Sequence, residues 1–440
     1  MLFDLLAESR KIIGIDTSGS KGTRSLVRHL LPYCEAIGLK AELLGPRSGR
    51  EADVNLVAHT VRKGSKNLCP GGLALVTHLD TVPGGEPAYW TETGGDPWKA
   101  TLKEDRLYGL GSADTKLDFL CKLLALEKVG VKNLKTPVAL IGTFGEERSL
   151  GGARWLRDSG RLTPKFAAIG EPCELKAVVA HKGILYMRAL FKTQVGGKRS
   201  SPFITEHFRG KAAHGSMPHL GENAIEKAIR WMRDRKGTEV AEIQGGTVHN
   251  VVPESCRVSV QEGEGPAPRA NFLVTFLAYL EKARAYLKTH RNEDFDPPYT
   301  TDNVGVVRMP DVETIEIEFD FRLIPETDEK TLLEIFESFE HEVPGGKIEK
   351  IRSNPPLNTA KNSEMVRRIG RAQTAVRLHK AFVVKSGNTE GPIFAEMGAQ
   401  AVVTGPGRSV GNIHAPNEHN EVSQILKAVD FYTAFLKGFC

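Results

Sequence analysis

Short apolar runs alternate with helical patterns over the first part of the chain and again towards its end. Runs at 73–76, 137–144, 166–169 and 401–404 predict buried strands. Each run ends in a polar loop, and the segment 116–129 predicts a strongly apolar helix. Alternating strands and helices indicate an α/β fold with a mainly parallel sheet, whose ligand site is expected at the carboxyl ends of the strands.

The pattern changes after residue 183. Residues 184–191 form a predicted strand with one exposed face, and 314–323 alternate apolar and acidic positions in the way of a half-buried strand. We therefore predict a smaller α+β domain, 184–355, inserted into an α/β domain that is formed by 1–183 and 356–440.

Composition narrows the class of protein. The 440 residues are 40% hydrophobic and 26% charged, as in ordinary globular proteins. The net charge of +5 is mild and no Lys/Arg block is present, which argues against nucleic-acid binding and suits a small anionic metabolite. Six scattered cysteines, no long apolar run and an N-terminus without a basic region predict a cytoplasmic protein that has no membrane span and no secretory signal.

Candidate metal ligands stand in several separate loops. His78 follows the run 73–76, and Asp80 lies two residues on, so both side chains point to one side of an extended chain. Taken alone, this pair is typical of a polar strand end. Asp114 precedes the helix 116–129, where an Asp is commonly a helix cap. Neither feature is specific by itself.

Three more acidic residues and a second histidine complete the set. Glu146 and Glu147 follow a buried strand, and adjacent carboxylates repel each other unless a cation or a proton intervenes; an exposed acidic turn is the simpler interpretation. Glu171 follows the next strand, and His414 stands near the C-terminus. Two imidazoles and three carboxylates suit a pair of divalent cations, zinc above all, with one carboxylate left to move protons in metal-assisted hydrolysis.

These motifs resemble those of the dinuclear zinc amidohydrolases, the family of acetylornithine deacetylase, succinyl-diaminopimelate desuccinylase, aminoacylases and related carboxypeptidases. The similarity extends over nearly the whole chain. It is carried by His78-Leu79-Asp80-Thr81-Val82-Pro83, Tyr108 to Lys116, Glu146-Glu147, Gly170-Glu171-Pro172 and His414-Ala415-Pro416-Asn417-Glu418. Each motif alone is weak, whereas five in the family's order are specific. Thr115 replaces the Met that is usual in the second motif.

The resemblance implies a role for each candidate ligand. Asp114 bridges two zinc ions, with cobalt as the alternative metal. His78 and Glu171 complete one metal site, and Glu147 and His414 complete the other.

The same resemblance implies three catalytic residues. Glu146 is the general base and then the general acid, taking a proton from the attacking water and passing it to the leaving amine. Asp80 orients His78. In the family, the inserted domain is a lid that forms a homodimer, and a His on it reaches the partner's active site to stabilise the oxyanion; His214 matches that position.

Substrate contacts are implied for four residues. Asn250 and Arg322 match positions that contact the substrate carboxylate, which a guanidinium can bind with two hydrogen bonds. Arg257 competes with Arg322, because a long segment separates Arg322 from the Asn250 motif, unlike in the family. Gly405 and Gly407 match a loop whose backbone approaches the substrate.

Two features depart from the family or stay open. Glu390 stands where the family usually has an Asp. The insert at about 262–300 either extends the dimer contact, covers the site or is a surface elaboration.

The expected reaction is hydrolysis of the amide bond of an N-acyl amino acid. The segment 109–114 and His181-Lys182-Gly183 are most similar to acetylornithine deacetylases, which predicts conversion of N2-acetylornithine to ornithine and acetate in arginine synthesis. Desuccinylation of N-succinyl-diaminopimelate, or dipeptidase or carboxypeptidase cleavage, uses the same chemistry and stays open. A non-catalytic binding relative is disfavoured, because the ligand set and Glu146 are all retained.

Overall fold

The structure, a computed structural model, describes residues 2–46, 50–62, 64–193, 201–235, 237–263 and 266–440. Its helices are α1 (Leu5–Ile13), α2 (Arg24–Ala36), α3 (Lys116–Val129), α4 (Glu146–Ser149), α5 (Gly151–Asp158), α6 (Ala224–Arg233), α7 (Pro268–Leu287), α8 (Glu329–Glu342), α9 (Glu364–Ala375), α10 (Gly391–Glu396) and α11 (Val422–Lys437). Its strands are β1 (Lys40–Leu44), β2 (Asn55–His59), β3 (Leu73–His78), β4 (Thr101–Lys103), β5 (Arg106–Tyr108), β6 (Val138–Thr143), β7 (Phe166–Gly170), β8 (Ala177–His181), β9 (Gly183–Lys192), β10 (Phe203–Arg209), β11 (Ala213–His214), β12 (Thr238–Gly245), β13 (Val251–Val252), β14 (Ser255–Glu262), β15 (Thr301–Arg308), β16 (Thr314–Leu323), β17 (Gly346–Asn354), β18 (Leu357–Asn358), β19 (Phe382–Lys385), β20 (Gln400–Val403) and β21 (His419–Glu421).

The chain divides into two compact units. Unit 1 comprises Met1–Ala180, Leu357–Val384 and Thr389–Cys440, and unit 2 comprises His181–Pro356 and Lys385–Asn388. The sequence assigns the short segment Lys385–Asn388 to the α/β domain, so the structure differs there. The reason is hydrogen bonding within unit 2: the N–H of Lys182 donates to the carbonyl of Lys385 at 3.1 Å, and the side chain of Asn354 donates to that of Asn388 at 2.7 Å.

Unit 1 is built on a nine-stranded sheet. The strand order is β1-β2-β6-β3-β7-β20-β8-β18, with β19 beside β8. The central strands β6, β3, β7 and β20 are parallel, whereas the β1–β2, β2–β6 and β20–β8 pairs are antiparallel. The predicted α/β fold with a parallel sheet is confirmed for the centre of the sheet, and the flanks make it mixed.

Helices cover both faces of this sheet. Leu73 and Leu75 of β3 belong to the core that includes α3 and α11, whereas Ala74 and Val76 belong to the core that includes α5 and α10. Successive residues of a strand face opposite ways, so β3 is apolar throughout because it is buried on both faces. Twelve of the 14 residues of α3 are buried, which explains why this helix is apolar on nearly every side.

A buried ion pair lies inside this packing, between Asp118 and Lys122 of α3. Lys122 Nζ is 2.5 Å from Asp118 Oδ2 and 3.0 Å from the hydroxyl of Thr77 on β3. The other oxygen of Asp118 accepts a hydrogen bond of 2.5 Å from Tyr432 of α11. Since both charged side chains are fully buried, their stability depends on these partners. The group ties α3 and α11 to the strand that ends at His78.

Unit 2 is a seven-stranded sheet that shares one apolar core with α6, α7 and α8. The strand order is β10-β14-β12-β15-β16-β9-β17, and every neighbouring pair is antiparallel. The predicted smaller α+β unit, interrupting the α/β unit in the chain, is confirmed. β10 falls in a segment that the sequence predicts as a loop. Its residues are mostly exposed, and only Ile204 and Phe208 are partly buried against the core.

The insert predicted at 262–300 contributes to the core of unit 2 through α7. Phe272 stacks on Phe191 with ring centroids 4.9 Å apart, and Phe276 meets Phe319 edge-on at 5.0 Å. Ten of the 20 residues of α7 are buried, so the interpretation of this helix as a surface elaboration is wrong. Residues 264–265 of the insert lie outside the described residues.

Polar residues interrupt the apolar surface of even the longest described helix. α7 spans 20 residues and includes Arg269, Glu281, Lys282 and Arg284. Among the described residues, no helix combines the length and the apolar character that crossing a membrane requires.

The buried ion pair gives a stability prediction. Replacing Asp118 with Asn leaves the Lys122 ammonium buried without its counter-charge, so the variant Asp118→Asn should lose about 3–5 kcal/mol of unfolding free energy. Urea denaturation followed by tryptophan fluorescence measures this loss. The exposed pair Lys128–Asp430 joins the same two helices, and the control Asp430→Asn should change stability little. Equal stability of the two variants would contradict the prediction.

Candidate metal centre

Three neighbouring strands of unit 1 bring candidate ligands to one edge of the sheet. β3 ends at His78, β7 ends immediately before Glu171, and α4, which follows β6, begins at Glu146. β3 pairs in parallel with both β6 and β7, so the three strand ends lie side by side. This is the carboxyl edge at which the sequence predicts the ligand site.

Asp114 lies between two imidazoles. His78 Nε2 is 3.0 Å from Asp114 Oδ1, and His414 Nε2 is 3.1 Å from Asp114 Oδ2. His414 Nε2 is also 3.0 Å from Oε2 of Glu147. Each oxygen of one carboxylate therefore faces a different ring nitrogen, which is the arrangement that a carboxylate shared by two cations requires.

The donor set fits divalent metal ions. His78 forms one group with Glu146 and Glu171 and another with Asp114 and Glu147, and within each group the ligand atoms lie within 4.8 Å of one another. Imidazole nitrogens and carboxylate oxygens are the donors that zinc and neighbouring transition metals accept. His78, Asp114 and Glu146 are buried, so water screens their charges poorly and a cation in their midst is strongly favoured.

The pKa values of these groups reflect their crowding. Burial and the neighbouring Glu171 raise the pKa of Glu146 well above its usual value. Burial has the same tendency at Asp114, but hydrogen bonds from His414 and His78 hold the pKa of this carboxyl below its usual range. In turn, the hydrogen bond to Asp114 raises the pKa of His414 to about 11. The cluster therefore attracts positive charge, whether protons or metal ions.

The carboxylate of Asp80 binds a different partner from the one that the sequence predicts. His78 Nδ1 is 3.1 Å from the backbone carbonyl oxygen of Asp80 but 3.9 Å from its carboxylate. A carbonyl only accepts, so it fixes the proton of a neutral His78 on Nδ1 and leaves Nε2 free for a metal. The Asp80 carboxylate instead accepts the backbone N–H groups of Glu146 at 3.1 Å and Glu147 at 3.3 Å. It thereby holds the turn that carries both glutamates.

Glu390 is a further buried acid close to the ligands. Its Oε2 accepts a hydrogen bond of 2.8 Å from the hydroxyl of Thr143, the last residue of β6. Burial raises the pKa of Glu390 to about 7, and Oε1 has no hydrogen-bond partner among the described residues. The sequence position at which an Asp is usual in the family thus holds a longer side chain, which reaches the last residue of β6.

Gly405 and Gly407 pack closely against the loops of two candidate ligands. A Cβ on Gly405 would lie 2.7 Å from the carbonyl oxygen of Glu171. Gly407 has φ +90°, in the left-handed region, and a Cβ there would lie 3.2 Å from that of Ala113. Both glycines are therefore required by packing alone, and their contact with substrate stays a prediction.

Unit 2 brings His214 and Asn250 together. His214 on β11 pairs with Val251 on β13, and the N–H of Gly215 donates to the carbonyl of Asn250 at 2.7 Å. The ring atom Nδ1 of His214 lies 3.1 Å from the backbone N–H of Ser216 and 2.7 Å from its hydroxyl. An N–H only donates, so Nδ1 is the acceptor and a neutral His214 carries its proton on Nε2.

The two candidate arginines of unit 2 have different surroundings. Burial and the charge of Arg322 lower the pKa of His214, and the guanidinium of Arg322 is 3.0 Å from Asp320. Arg257 on β14 forms an ion pair of 2.5 Å with Glu242. Each arginine therefore pairs with an acidic residue, and which of them contacts substrate stays a prediction.

Several residues that support the centre escape sequence reasoning. Asp118 and Lys122 stand four apart on an otherwise apolar helix, and two charges in such a helix are a usable signal for a buried pair. Tyr432 gives no such signal, because a Tyr in an amphipathic helix is ordinary. Glu418 belongs to the His414 motif, but the sequence assigns it no role.

The parallel sheet and the cluster of imidazoles and carboxylates at its edge define a metal-dependent hydrolase. The chain belongs to peptidase family M20/M25/M40, whose model matches residues 74–438. It is 27% identical to an acetylornithine deacetylase of Myxococcus xanthus over 99% of this chain and 97% of that protein. It is 34% identical to the acetylornithine deacetylase of Photorhabdus laumondii, but over only 51% of either chain. The fold is similar to that of aminoacylhistidine dipeptidase from Vibrio alginolyticus, with a TM-score of 0.70, 16% identity and coverage of 99% and 96%.

The cluster gives a metal-binding prediction. The metal-free chain should bind two divalent ions, and His414→Ala should bind one, because His414 faces only one oxygen of Asp114. Equilibrium dialysis followed by elemental analysis measures the number of ions per chain. His379 is exposed, and the control His379→Ala should still bind two. One ion in the wild-type chain would contradict the prediction.

Proposed function

We propose that this chain is a dinuclear metal amidohydrolase that cleaves the amide bond of an N-acyl amino acid. The observation that carries the proposal is the position of Asp114, whose two oxygens face His78 on one side and His414 on the other at 3.0 and 3.1 Å. If Asp114 were only the cap of α3, it would need neither His78 nor His414 as a neighbour. A carboxylate with an imidazole facing each of its oxygens offers suitable donors for two metal ions in one centre.

The ligands divide between two ions, which we take to be zinc, with cobalt as the alternative. Asp114 would contact both ions, His78 and Glu171 would hold one, and Glu147 and His414 would hold the other. When bound, the ions would polarise the scissile carbonyl and lower the pKa of water.

Glu146 moves the protons. Glu146 is buried, and its carboxylate lies within 4.8 Å of ligand atoms of His78 and Glu171. It is therefore placed beside the reacting atoms. It accepts a proton from the attacking water and donates it to the leaving amine. Asp80 fixes its position through the backbone N–H of Glu146. The carboxylate of Asp80 therefore acts on the base, and its carbonyl acts on His78.

Unit 2 is proposed to act as the lid of a homodimer. His214 of one copy stabilises the oxyanion in the other copy, as a donor through Nε2–H, and Asn250 and Arg322 bind the substrate carboxylate. Support comes from the fixed Nδ1 acceptor of His214 and from the neighbouring guanidinium, which disfavours the imidazolium form.

The substrate that we propose is N2-acetylornithine, cleaved to ornithine and acetate in arginine synthesis in the cytoplasm. Support comes from the acetylornithine deacetylase of Myxococcus xanthus, which aligns with 99% of this chain. The similarity to the aminoacylhistidine dipeptidase of Vibrio alginolyticus is one of fold, at 16% sequence identity, and does not indicate the substrate. The same side chains would also serve a succinylated or dipeptide substrate, so the substrate is a question for assay.

A three-substrate assay tests the proposed reaction. The zinc-loaded protein should release ornithine from N2-acetylornithine with a kcat/KM well above its values for N-succinyl-diaminopimelate and for a dipeptide. Amine release measured with a ninhydrin-type reagent gives all three values on one scale. Turnover of the dipeptide alone would make the deacetylase proposal wrong, while turnover of the succinylated substrate alone would assign the alternative activity.

Replacement of the proposed base tests the mechanism. Glu146→Gln keeps the size of the side chain but cannot accept the proton, so kcat should fall roughly a hundred- to ten-thousand-fold. Metal content, measured by elemental analysis, should stay near that of the wild type. Glu174 is exposed and forms an ion pair with Lys176, so the control Glu174→Gln should keep full activity. Unchanged kcat in the Glu146 variant would contradict the proposed role.

A further inference from the structure

Glu418 connects the loop of Asp114 to the loop of His414. It is 1% exposed and stands four residues after His414. Its Oε1 accepts three backbone N–H groups, those of Gly111 at 3.0 Å, Ala113 at 2.9 Å and Asp114 at 3.0 Å. Its own carbonyl oxygen accepts the N–H of Gly109 at 2.9 Å. One residue therefore binds the loop 109–114 through four hydrogen bonds.

The loop 109–114 needs such an acceptor because its backbone is irregular. It leaves β5 at Tyr108 and reaches α3 at Lys116, with φ of +142° at Gly109 and +83° at Gly111. N–H groups in such a loop have no strand or helix partner, and buried N–H groups without an acceptor are strongly disfavoured. A single carboxyl oxygen can accept several of them at once.

The His414 side of the connection is also held firmly. His414 and Asn417 both have positive φ, +55° and +63°. Asn412 closes the base of this loop: its side-chain nitrogen donates to the carbonyl of His419 at 2.8 Å, and its side-chain oxygen accepts the N–H of His419 at 3.1 Å. Asn417 closes the tip by accepting the N–H of Glu92 at 2.9 Å. A shift of Glu418 is therefore passed on to His414 and is not absorbed by slack in the loop.

We propose that Glu418 is a positioning residue that sets the separation of Asp114 and His414, and with it the affinity of the second metal ion. The proposal rests on the proposed dinuclear function. Glu418 acts through the backbone of Asp114 and is not itself a metal ligand. Both ions would share Asp114, but only the ion held by Glu147 and His414 also depends on the separation of Asp114 from His414. The other ion has its remaining ligands, His78 and Glu171, at the ends of β3 and β7.

Metal titration of a graded set of variants tests the proposal. Metal-free wild type, Glu418→Gln and Glu418→Ala are titrated with Co²⁺ alone, and the affinities of the two ions are measured by calorimetry together with the visible absorption of bound Co²⁺. Glu418→Ala should bind the second ion about tenfold or more weakly, with a clearly smaller loss for the first ion, which shares Asp114 but not His414. Glu418→Gln keeps an oxygen acceptor and should recover much of the loss. Glu421→Ala, three residues on, is the control and should match the wild type.

The possible outcomes distinguish a failure of the role proposed for Glu418 from a failure of the proposed dinuclear centre. Equal weakening of both ions, or no rescue by Gln, would make Glu418 a merely structural residue and overturn the inference. Binding of a single ion by the wild type would instead overturn the proposed dinuclear centre, whatever the variants do. If Glu418→Ala does not give the wild-type near-ultraviolet circular dichroism, Glu418→Asp replaces it, because the shorter side chain moves the acceptor away and should also weaken the second ion selectively.

Discussion

Repulsion between carboxylates that are held at one edge of a parallel sheet is the constraint on which the rest of the centre depends. The acidic side chains gathered there are Asp80, Asp114, Glu146, Glu147, Glu171, Glu390 and Glu418. The protein compensates them in different ways. Imidazoles face Asp114, backbone N–H groups converge on Asp80 and Glu418, and a hydroxyl binds Glu390. Burial and the neighbouring Glu171 still raise the pKa of Glu146, so a cation beside Glu146 would lower the energy of the cluster further.

The strands and the candidate ligand loops were within reach of sequence reasoning because their signals are local. An apolar run followed by a polar Gly-rich loop indicates both a buried strand and the edge at which it ends, and His78, Glu146 and Glu171 all follow such runs. The partner of the Asp80 carboxylate could not be predicted from the sequence. A spacing of two residues shows that the side chains of His78 and Asp80 point to the same side, but it does not show which backbone segment packs beside them. That backbone is the first turn of α4, which the parallel pairing of β6 with β3 brings close.

Burial decided the other differences. The segment around α7 resembles an insertion because it separates two motifs, yet its aromatic residues Phe272 and Phe276 fill the core of unit 2. Gly405 and Gly407 illustrate the converse, because the signal of a substrate-binding loop coincides with a packing requirement that would select glycine without any substrate. A motif can therefore be retained for two reasons, and only the contacts of each residue distinguish them.

The buried pair of Asp118 and Lys122 has a consequence for the synthesis of the chain on the ribosome. Its last partner, Tyr432, is made after the whole of unit 2, and so are Glu390 and His414. Until those residues emerge, buried carboxylates of the nascent unit 1 lack some of their partners, whereas unit 2 is continuous in sequence apart from four residues. Unit 2 can therefore fold first, and the centre becomes competent to take up metal only when the chain is nearly finished.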